Sequence, residues 1–241
     1  MFLDIDGTLL ELAPTPTEVV VPPDLPGLLG HLRHRLGGAV ALISGRSVAD
    51  IDALFPSLTL TAAGQHGAEI RLAGAATERL GPADGVLSGL MPKIAAFAVA
   101  HPGILVEDKG MTIAVHCRQV PEYQAELGQF LTDLAAEHAE TLETIRGHRV
   151  FEMKPRNLSK RTAVEHLMRI APFAGRLPLF IGDDRTDEDG FAAVRALGGH
   201  AIRVGPDGPG PDWSTLANCR MADAAHVRAF LANAAQSLDA E

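Results

Sequence analysis

The sequence predicts an α/β protein: a Rossmann-like parallel sheet core with an inserted α+β cap. Three observations lead there. Short apolar runs alternate with helix-period segments at both ends of the 241-residue chain, the pattern of a parallel sheet covered on both faces. The middle breaks that alternation with the order helix, hairpin, helix, hairpin. Polar clusters follow the apolar runs, where an open parallel sheet gathers its ligands.

Taken in order, "FLDID" reads as a strand and is followed by a Pro-rich loop through "PTPTEVVVPP". "LPGLLGHLRHRL" has helical spacing, "AVALIS" is a buried-strand run, and "SVADIDALF" opens a helix with Ser47 as N-cap. "LTLTAAG" is a further strand. The insertion, placed at 73–148, begins with the helix "GVLSGLMPKIAAFAVA" and a hairpin in "ILVEDKGMTIAVHC" around Lys109-Gly110. A second helix, "PEYQAELGQFLTDLAAEHA", shows one apolar face of Tyr123, Leu127, Phe130, Leu131 and Leu134. "TLETIRGHRVFEM" is a second hairpin turning at Gly147. The core, assigned to 1–72 and 149–241, resumes with the helix "NLSKRTAVEHLMRI", the strand "PLFIGDD", the helix "TDEDGFAAVRAL" and the strand "HAIRVG".

Composition narrows the function classes. A net charge of −9 without a Lys/Arg run argues against a nucleic-acid partner. It leaves an anionic small substrate open, because a bound divalent metal reverses the local field. No apolar run approaches membrane-spanning length and residues 1–10 lack a basic leader, so neither a membrane span nor a signal peptide is expected. Cys117 and Cys219 show no pairing or ligand spacing, which fits a reducing, cytoplasmic setting. A monomer is expected.

Four polar clusters carry chemistry. Asp4 and Asp6 follow the first strand, and Ser44-Gly45-Arg46 follow "AVALI". Gly182-Asp183-Asp184 and Asp187 follow "PLFI", and "KPRNLSK" opens a helix. Singly, each has a bland reading as a turn, a cap or an acidic helix start. An EF-hand is excluded, because with Gly190 as its glycine, loop positions one and twelve would be Arg185 and Ala196. Jointly they supply the parts for phosphoryl transfer. Asp4 and Asp183, on neighbouring strands, can share one Mg²⁺, a hard ion that prefers oxygen ligands. Lys160 and Ser44 can hold phosphoryl oxygens, and Gly45 and Gly7 leave backbone N–H groups accessible to an anion. One carboxylate then serves as nucleophile, and Asp6 can protonate a leaving alkoxide and later deprotonate water.

"DIDGTL", "SGR", the lysine before a helix and "GDDRTDED" resemble, as a set, the four motifs of the haloacid dehalogenase-like hydrolases. The resemblance implies Asp4 as nucleophile, Asp6 as acid/base, and Ser44 and Lys160 as phosphate ligands. It implies Asp183 as a metal ligand, with Asp6 also in the metal shell, and Asp187 either in that shell or orienting Lys160. "LISGRS", "GQHGAE", "EDKGMTIAVHCR", "FEMKPRNLSK" and "GDDRTDEDGFA" carry a narrower likeness: the chain resembles the trehalose-6-phosphate phosphatases over almost its full length. Only three residues precede Asp4, so the first strand is expected to be shorter than the family's.

That resemblance implies a sugar phosphate as the small-molecule partner. Glu107, Lys109 and Glu152 match positions that hydrogen-bond trehalose hydroxyls, and charged groups bond neutral hydroxyls more strongly than neutral groups do. The plain alternative for these three is a solvated sheet face with cross-strand ion pairs. Gly45, Arg46 and His66 are placed in the same cleft, although His66 is as readily a structural histidine. The rival functions are a phosphatase for sucrose 6-phosphate or mannosyl-3-phosphoglycerate, and a non-catalytic regulatory domain.

Overall fold

The first strand shows how both faces of the main sheet are filled. Phe2 stacks on Phe173 with ring centroids 5.3 Å apart, while its neighbour Leu3 joins the opposite core with Leu25, Leu29 and Leu231. Side chains alternate across a strand, so a strand covered on both sides must be apolar at every position. The partner strand repeats the rule in register: Phe180 lies opposite Phe2 and Ile181 opposite Leu3. Phe180 meets Phe191 edge-on, and Ile181 joins the core of Leu3.

The structure, a computed structural model, describes residues 1–15, 17–80, 86–147, 149–205 and 214–240. The chain folds into two compact units, Met1–Glu78 with Ser159–Glu241, and Arg79–Leu158. Its elements before the insertion are β1 (Phe2–Leu3), α1 (Leu25–Arg35), β2 (Ala41–Ile43), α2 (Val48–Leu54), β3 (Thr61–Gly64), β4 (Glu69–Arg71) and β5 (Glu78–Arg79). The second unit holds α3 (Val86–Ala100), β6 (Leu105–Asp108), β7 (Ile113–His116), α4 (Gln124–Ala136), β8 (Leu142–Gly147) and β9 (Val150–Pro155). The first unit resumes with α5 (Lys160–Leu167), β10 (Leu179–Gly182), α6 (Asp187–Ala196), β11 (His200–Val204), β12 (Cys219–Met221) and α7 (Ala224–Asp239).

Among the described residues the large sheet has the order β12-β11-β10-β1-β2-β3-β4-β5. It is parallel from β12 through β3, and β4 turns back antiparallel. Strand order reverses between β1 and β10: the chain runs outward from β1 on one side and from β10 on the other. Such a switch point opens a crevice at the carboxyl ends of the two strands. Asp4 and Asp183 are the next residues there. The α/β expectation therefore holds, including the parallel core and the inserted antiparallel unit.

The second unit is a four-stranded antiparallel sheet, β6-β7-β9-β8. Ile113, Val115, Phe151, Met153 and Leu142 pack on Leu90, Ile94, Leu127, Leu131 and Leu134 from its two helices. The opposite sheet face is charged. Glu107 pairs with Ala114, and Ala114 with Glu152, so the two acids stand on one face two strands apart. Lys154 lies opposite Glu143 and donates to it at 2.6 Å.

The boundaries differ from the expected 73–148. β9 pairs with both β7 and β8, so its residues cannot belong to the core, and the unit ends at Leu158. The segment before Glu78 stays with the core because β4 extends the large sheet. Gly85, the expected first residue of the insertion's first helix, and His148 lie outside the described residues. β4, β5, β12 and α7 were not anticipated. Among the described residues no helix is long and apolar enough to cross a membrane.

Candidate active site

Asp4 leaves β1 with its N–H still bonded to the carbonyl of Ile181, 3.0 Å away, which ties it to the end of β10. The chain then turns sharply: the amides of Thr8, Leu9 and Leu10 point to the carbonyl of Ile5, and Gly7 N donates to Leu10 O at 2.8 Å. Gly7 has φ +82°, and a Cβ there would lie 2.2 Å from Asp183 Oδ2, so only glycine fits this crossing. The turn brings the buried Thr8 hydroxyl between two acids. It lies 3.4 Å from Asp4 Oδ2 and 3.2 Å from Asp183 Oδ1.

Lys160 opens α5, whose N-cap Ser159 forms a capping box with Thr162. A lysine in the first turn opposes the helix dipole, so its place depends on partners. Nζ donates to Asp4 Oδ1 at 2.8 Å and to Asp187 Oδ1 at 2.7 Å, and all three side chains are buried. Asp187 opens α6, and its other oxygen accepts from the amides of Asp183 and Asp184, each 3.0 Å away. Both oxygens of Asp187 are thus engaged, one fixing Lys160 and the other the loop after β10.

Oxygens of Asp4, Asp183 and Asp187 all lie within 4.8 Å of one another. Burial pushes Asp4 up to about 8 in spite of Lys160. Asp183 and Asp187 are also raised, by burial first and then by neighbouring carboxylates. Lys160 loses solvation, but Asp187 and Asp4 hold it well above its ordinary value. Three carboxylates facing one ammonium leave an excess of negative charge in a desolvated site. All the donors are hard oxygens, which suits a divalent cation of the Mg²⁺ type. The Asp6 carboxylate is not one of these three. Both its oxygens accept from Arg46, at 2.6 Å from Nε and 2.7 Å from Nη2.

Ser44 follows β2, is buried, and accepts from the N–H of Arg46 through Oγ at 3.2 Å. Gly45 sits under the His66 ring, where a Cβ would meet Nε2 at 2.8 Å. His66 is itself left-handed (φ 56°), between Gln65 (φ 48°) and Gly67 (φ 98°), a costly run held by its surroundings. His66 N donates to Ser44 O at 3.1 Å and Gln65 N to Arg46 O at 2.8 Å. A Cβ on Gly67 would fall 2.7 Å from Ser159 O. The "GQHG" turn therefore braces the Ser44–Arg46 loop on one side and the start of α5 on the other.

Asp4, Asp6, Ser44, Gly45, Arg46, His66, Lys160, Asp183 and Asp187 all belong to the first unit. Glu107, Lys109 and Glu152 belong to the second and come together there. Lys109 lies in the turn after β6 rather than on the strand; its N–H donates to Thr112 O at 3.0 Å and its Nζ is 3.7 Å from Glu152. The Glu107 carboxylate accepts from His116 Nε2 at 3.1 Å, and that contact holds its carboxyl below the usual range. Sequence reasoning gave no role to Thr8 or Glu69. Buried Glu69 accepts from Val48 N at 2.9 Å, at the first residue of α2. Thr8 carried a signal, a hydroxyl two residues beyond the second acid; Glu69 carried only its place in "GQHGAE".

Comparison with known proteins follows the same lines. The family model described as Trehalose-phosphatase matches residues 2–224. The chain belongs to the trehalose-phosphatase family. Among the family's curated members, a protein of Sinorhizobium fredii named probable trehalose-phosphate phosphatase is 42% identical over 210 residues, covering 87% of this chain and 78% of the relative. The trehalose-6-phosphate phosphatase of Escherichia coli is 39% identical over 215 residues, covering 88% and 79%. Of solved structures, the C-terminal domain of C. albicans trehalose-6-phosphate phosphatase superposes with a TM-score of 0.82 over 98% of this chain and 91% of that one. At 20% identity it attests the fold. The expectation of a phosphoric monoester hydrolase thus holds at the level of the family.

Proposed function

We propose that this protein is a Mg²⁺-dependent, cytoplasmic phosphatase that hydrolyses trehalose 6-phosphate to trehalose and phosphate through an aspartyl-phosphate. The observation that carries the reading is the buried Asp4–Lys160–Asp187 group beside Asp183, at the switch point of the sheet. A turn or a cap has no use for that arrangement. Family membership and the names of the two relatives support the substrate.

Asp4 and Asp183, with Asp187 behind them, would hold Mg²⁺, which supplies the positive charge that keeps Asp4 ionised and offsets the phosphoryl dianion. Lys160 orients the Asp4 carboxylate and adds a second positive charge. The Ser44 hydroxyl, the Gly45 N–H and Lys160 donate to phosphoryl oxygens. Asp4 attacks phosphorus; the bond from phosphorus to the sugar oxygen breaks, and Asp6 delivers a proton to that oxygen. Asp6, now a carboxylate, takes a proton from water as the water oxygen attacks the aspartyl-phosphate. Phosphate leaves and Asp4 is regenerated. Glu107, Lys109 and Glu152 bind the sugar hydroxyls, and His66 packs behind Gly45 as part of the cleft wall.

The test is phosphate release from trehalose 6-phosphate, sucrose 6-phosphate and mannosyl-3-phosphoglycerate, after chelator treatment and with Mg²⁺ restored. The expected result is Mg²⁺-dependent release with the highest kcat/KM for trehalose 6-phosphate. A preference for another sugar phosphate overturns the substrate, and no release from any of them overturns the enzyme reading in favour of a regulatory domain.

A further inference from the structure

The general acid of this reaction stands apart from the buried charge cluster. Asp6 lies in a tight turn and its side chain is 30% exposed. An exposed aspartate samples several rotamers, whereas a general acid has to reach its oxygen within about 2.6–3.2 Å. What restrains Asp6 is the planar fork of Arg46, which takes both carboxylate oxygens at 2.6 and 2.7 Å and leaves each a second lone pair.

The base of that fork is itself fixed. Arg46 N donates to Ser44 Oγ at 3.2 Å, and Arg46 O accepts from Gln65 N at 2.8 Å. Ser47 caps α2 with Asp50, and the buried Glu69 carboxylate takes Val48 N. Gly64 lets the strand pass close, since a Cβ there would lie 2.8 Å from Arg46 O and 2.7 Å from Val48 N. The Arg46 side chain is 12% exposed. A braced backbone thus carries a partly buried cation that gives two N–H groups, one on Nε and one on Nη2, to Asp6.

We propose that Arg46 is the positioning residue of the acid/base, acting on catalysis through Asp6 and not by holding the phosphoryl group. The inference rests on the reading of Asp6 given under the proposed function. Its signature is chemical. Protonation of the leaving oxygen matters most for a poor leaving group and least for a good one, so loss of aim in Asp6 scales with leaving-group basicity. Loss of a phosphoryl ligand is felt equally by every substrate.

The experiment measures kcat/KM for p-nitrophenyl phosphate, phenyl phosphate and glucose 6-phosphate with the wild type, Asp6→Asn, Arg46→Ala, Arg46→Lys and the double variant Asp6→Asn/Arg46→Ala. Arg46→Ala is expected to lose on the order of 10–100-fold more on glucose 6-phosphate than on p-nitrophenyl phosphate, following the trend of Asp6→Asn. In the Asp6→Asn background the same change should cost less than about 3-fold, since residues acting as one unit are not additive. Arg46→Lys keeps the charge without the fork, shares the trend, and carries the test if Arg46→Ala fails to melt like the wild type. Equal losses across the series, or losses that multiply in the double variant, overturn the inference while the trend in Asp6→Asn leaves the acid/base reading standing. A flat Asp6→Asn series overturns both.

Discussion

Gly7→Ala adds one methyl group at the point where two sequence-distant acids meet. The residue has φ +82°, a conformation that costs a residue bearing a Cβ about 1–2 kcal/mol. The new Cβ would lie 2.2 Å from Asp183 Oδ2 and 2.4 Å from its Cγ, where ordinary contact begins near 3.4 Å. The carboxylate must therefore retreat by about 1 Å, at an overpacking cost of about 1–3 kcal/mol. Together these reach about 2–5 kcal/mol, a large share of the roughly 5–15 kcal/mol that holds a domain folded. Gly74 supplies the control, because it has the same φ of +82° with nothing within 4 Å of its Cβ position. Gly74→Ala should cost only the backbone part. Urea unfolding of both variants separates the contributions. Titration with Mg²⁺ should show at least an order of 10-fold weaker binding for Gly7→Ala alone, since ligand geometry sets affinity. Equal stability of the two variants together with an unchanged Mg²⁺ requirement would refute the argument.

Asp4→Asn should melt like the wild type and release no phosphate in steady state; appreciable turnover removes Asp4 as nucleophile. In metal-free protein, Asp4 rises from its ordinary 3.8 to about 8 on folding, so the folded state keeps a proton that the unfolded chain releases. Stability should then fall as pH rises from about 4 to 8, by up to about 1.4 kcal/mol per pH unit for this one group, and Mg²⁺ should reverse the fall; urea midpoints at pH 5, 6, 7 and 8 measure it. Lys160→Met leaves Asp4 and Asp187 buried without their ammonium and should destabilise by about 3–5 kcal/mol in chemical denaturation, with sugar and aryl phosphate turnover damaged alike. Glu107→Ala, Lys109→Ala and Glu152→Ala should each lose about 10–150-fold in kcat/KM on trehalose 6-phosphate, about 1.5–3 kcal/mol, and far less on an aryl phosphate. Loss on neither substrate would reduce these charges to the cross-strand pairs they also form.

What the sequence made legible was whatever repeats locally. Continuous apolar runs marked β1, β2 and β10 because both their faces are covered, and the acids after them marked the strand ends. The 3.6-residue period of Leu127, Leu131 and Leu134 marked α4, and these three are buried. Less was visible where a partner supplies the reason for a residue. Glu69 and Arg71 make β4 look polar, yet one carboxylate caps α2 and the guanidinium grips Asp52 and the carbonyl of Leu60. β9 is legible as the second strand of the hairpin at Gly147, yet a boundary at 148 cuts it from its unit; its Glu152 and Lys154 have their partners in the turn after β6 and on β8. The site followed the same division. Asp4, Asp183 and Lys160 were legible from spacing, whereas the engagement of Asp6 by Arg46 spans 40 residues and is set by where two loops cross.

β1 contributes only two residues to the large sheet, and its two neighbours become available at different times. Ala41 and Leu42 pair with it after a connection that carries α1, whereas Phe180 and Ile181 must return across the entire second unit. The contact of Lys160 with Asp4 spans 156 residues and that of Thr8 with Asp183 spans 175. Closing loops of that size costs entropy before any contact rewards it, which delays such pairings during folding. During synthesis, β1 is expected to keep one backbone edge unpaired until β10 has been made, the stage at which a nascent chain is exposed to aggregation. In refolding, helix content should return well ahead of catalytic competence, because the last strand to arrive at the middle of the sheet also brings half of the charge cluster.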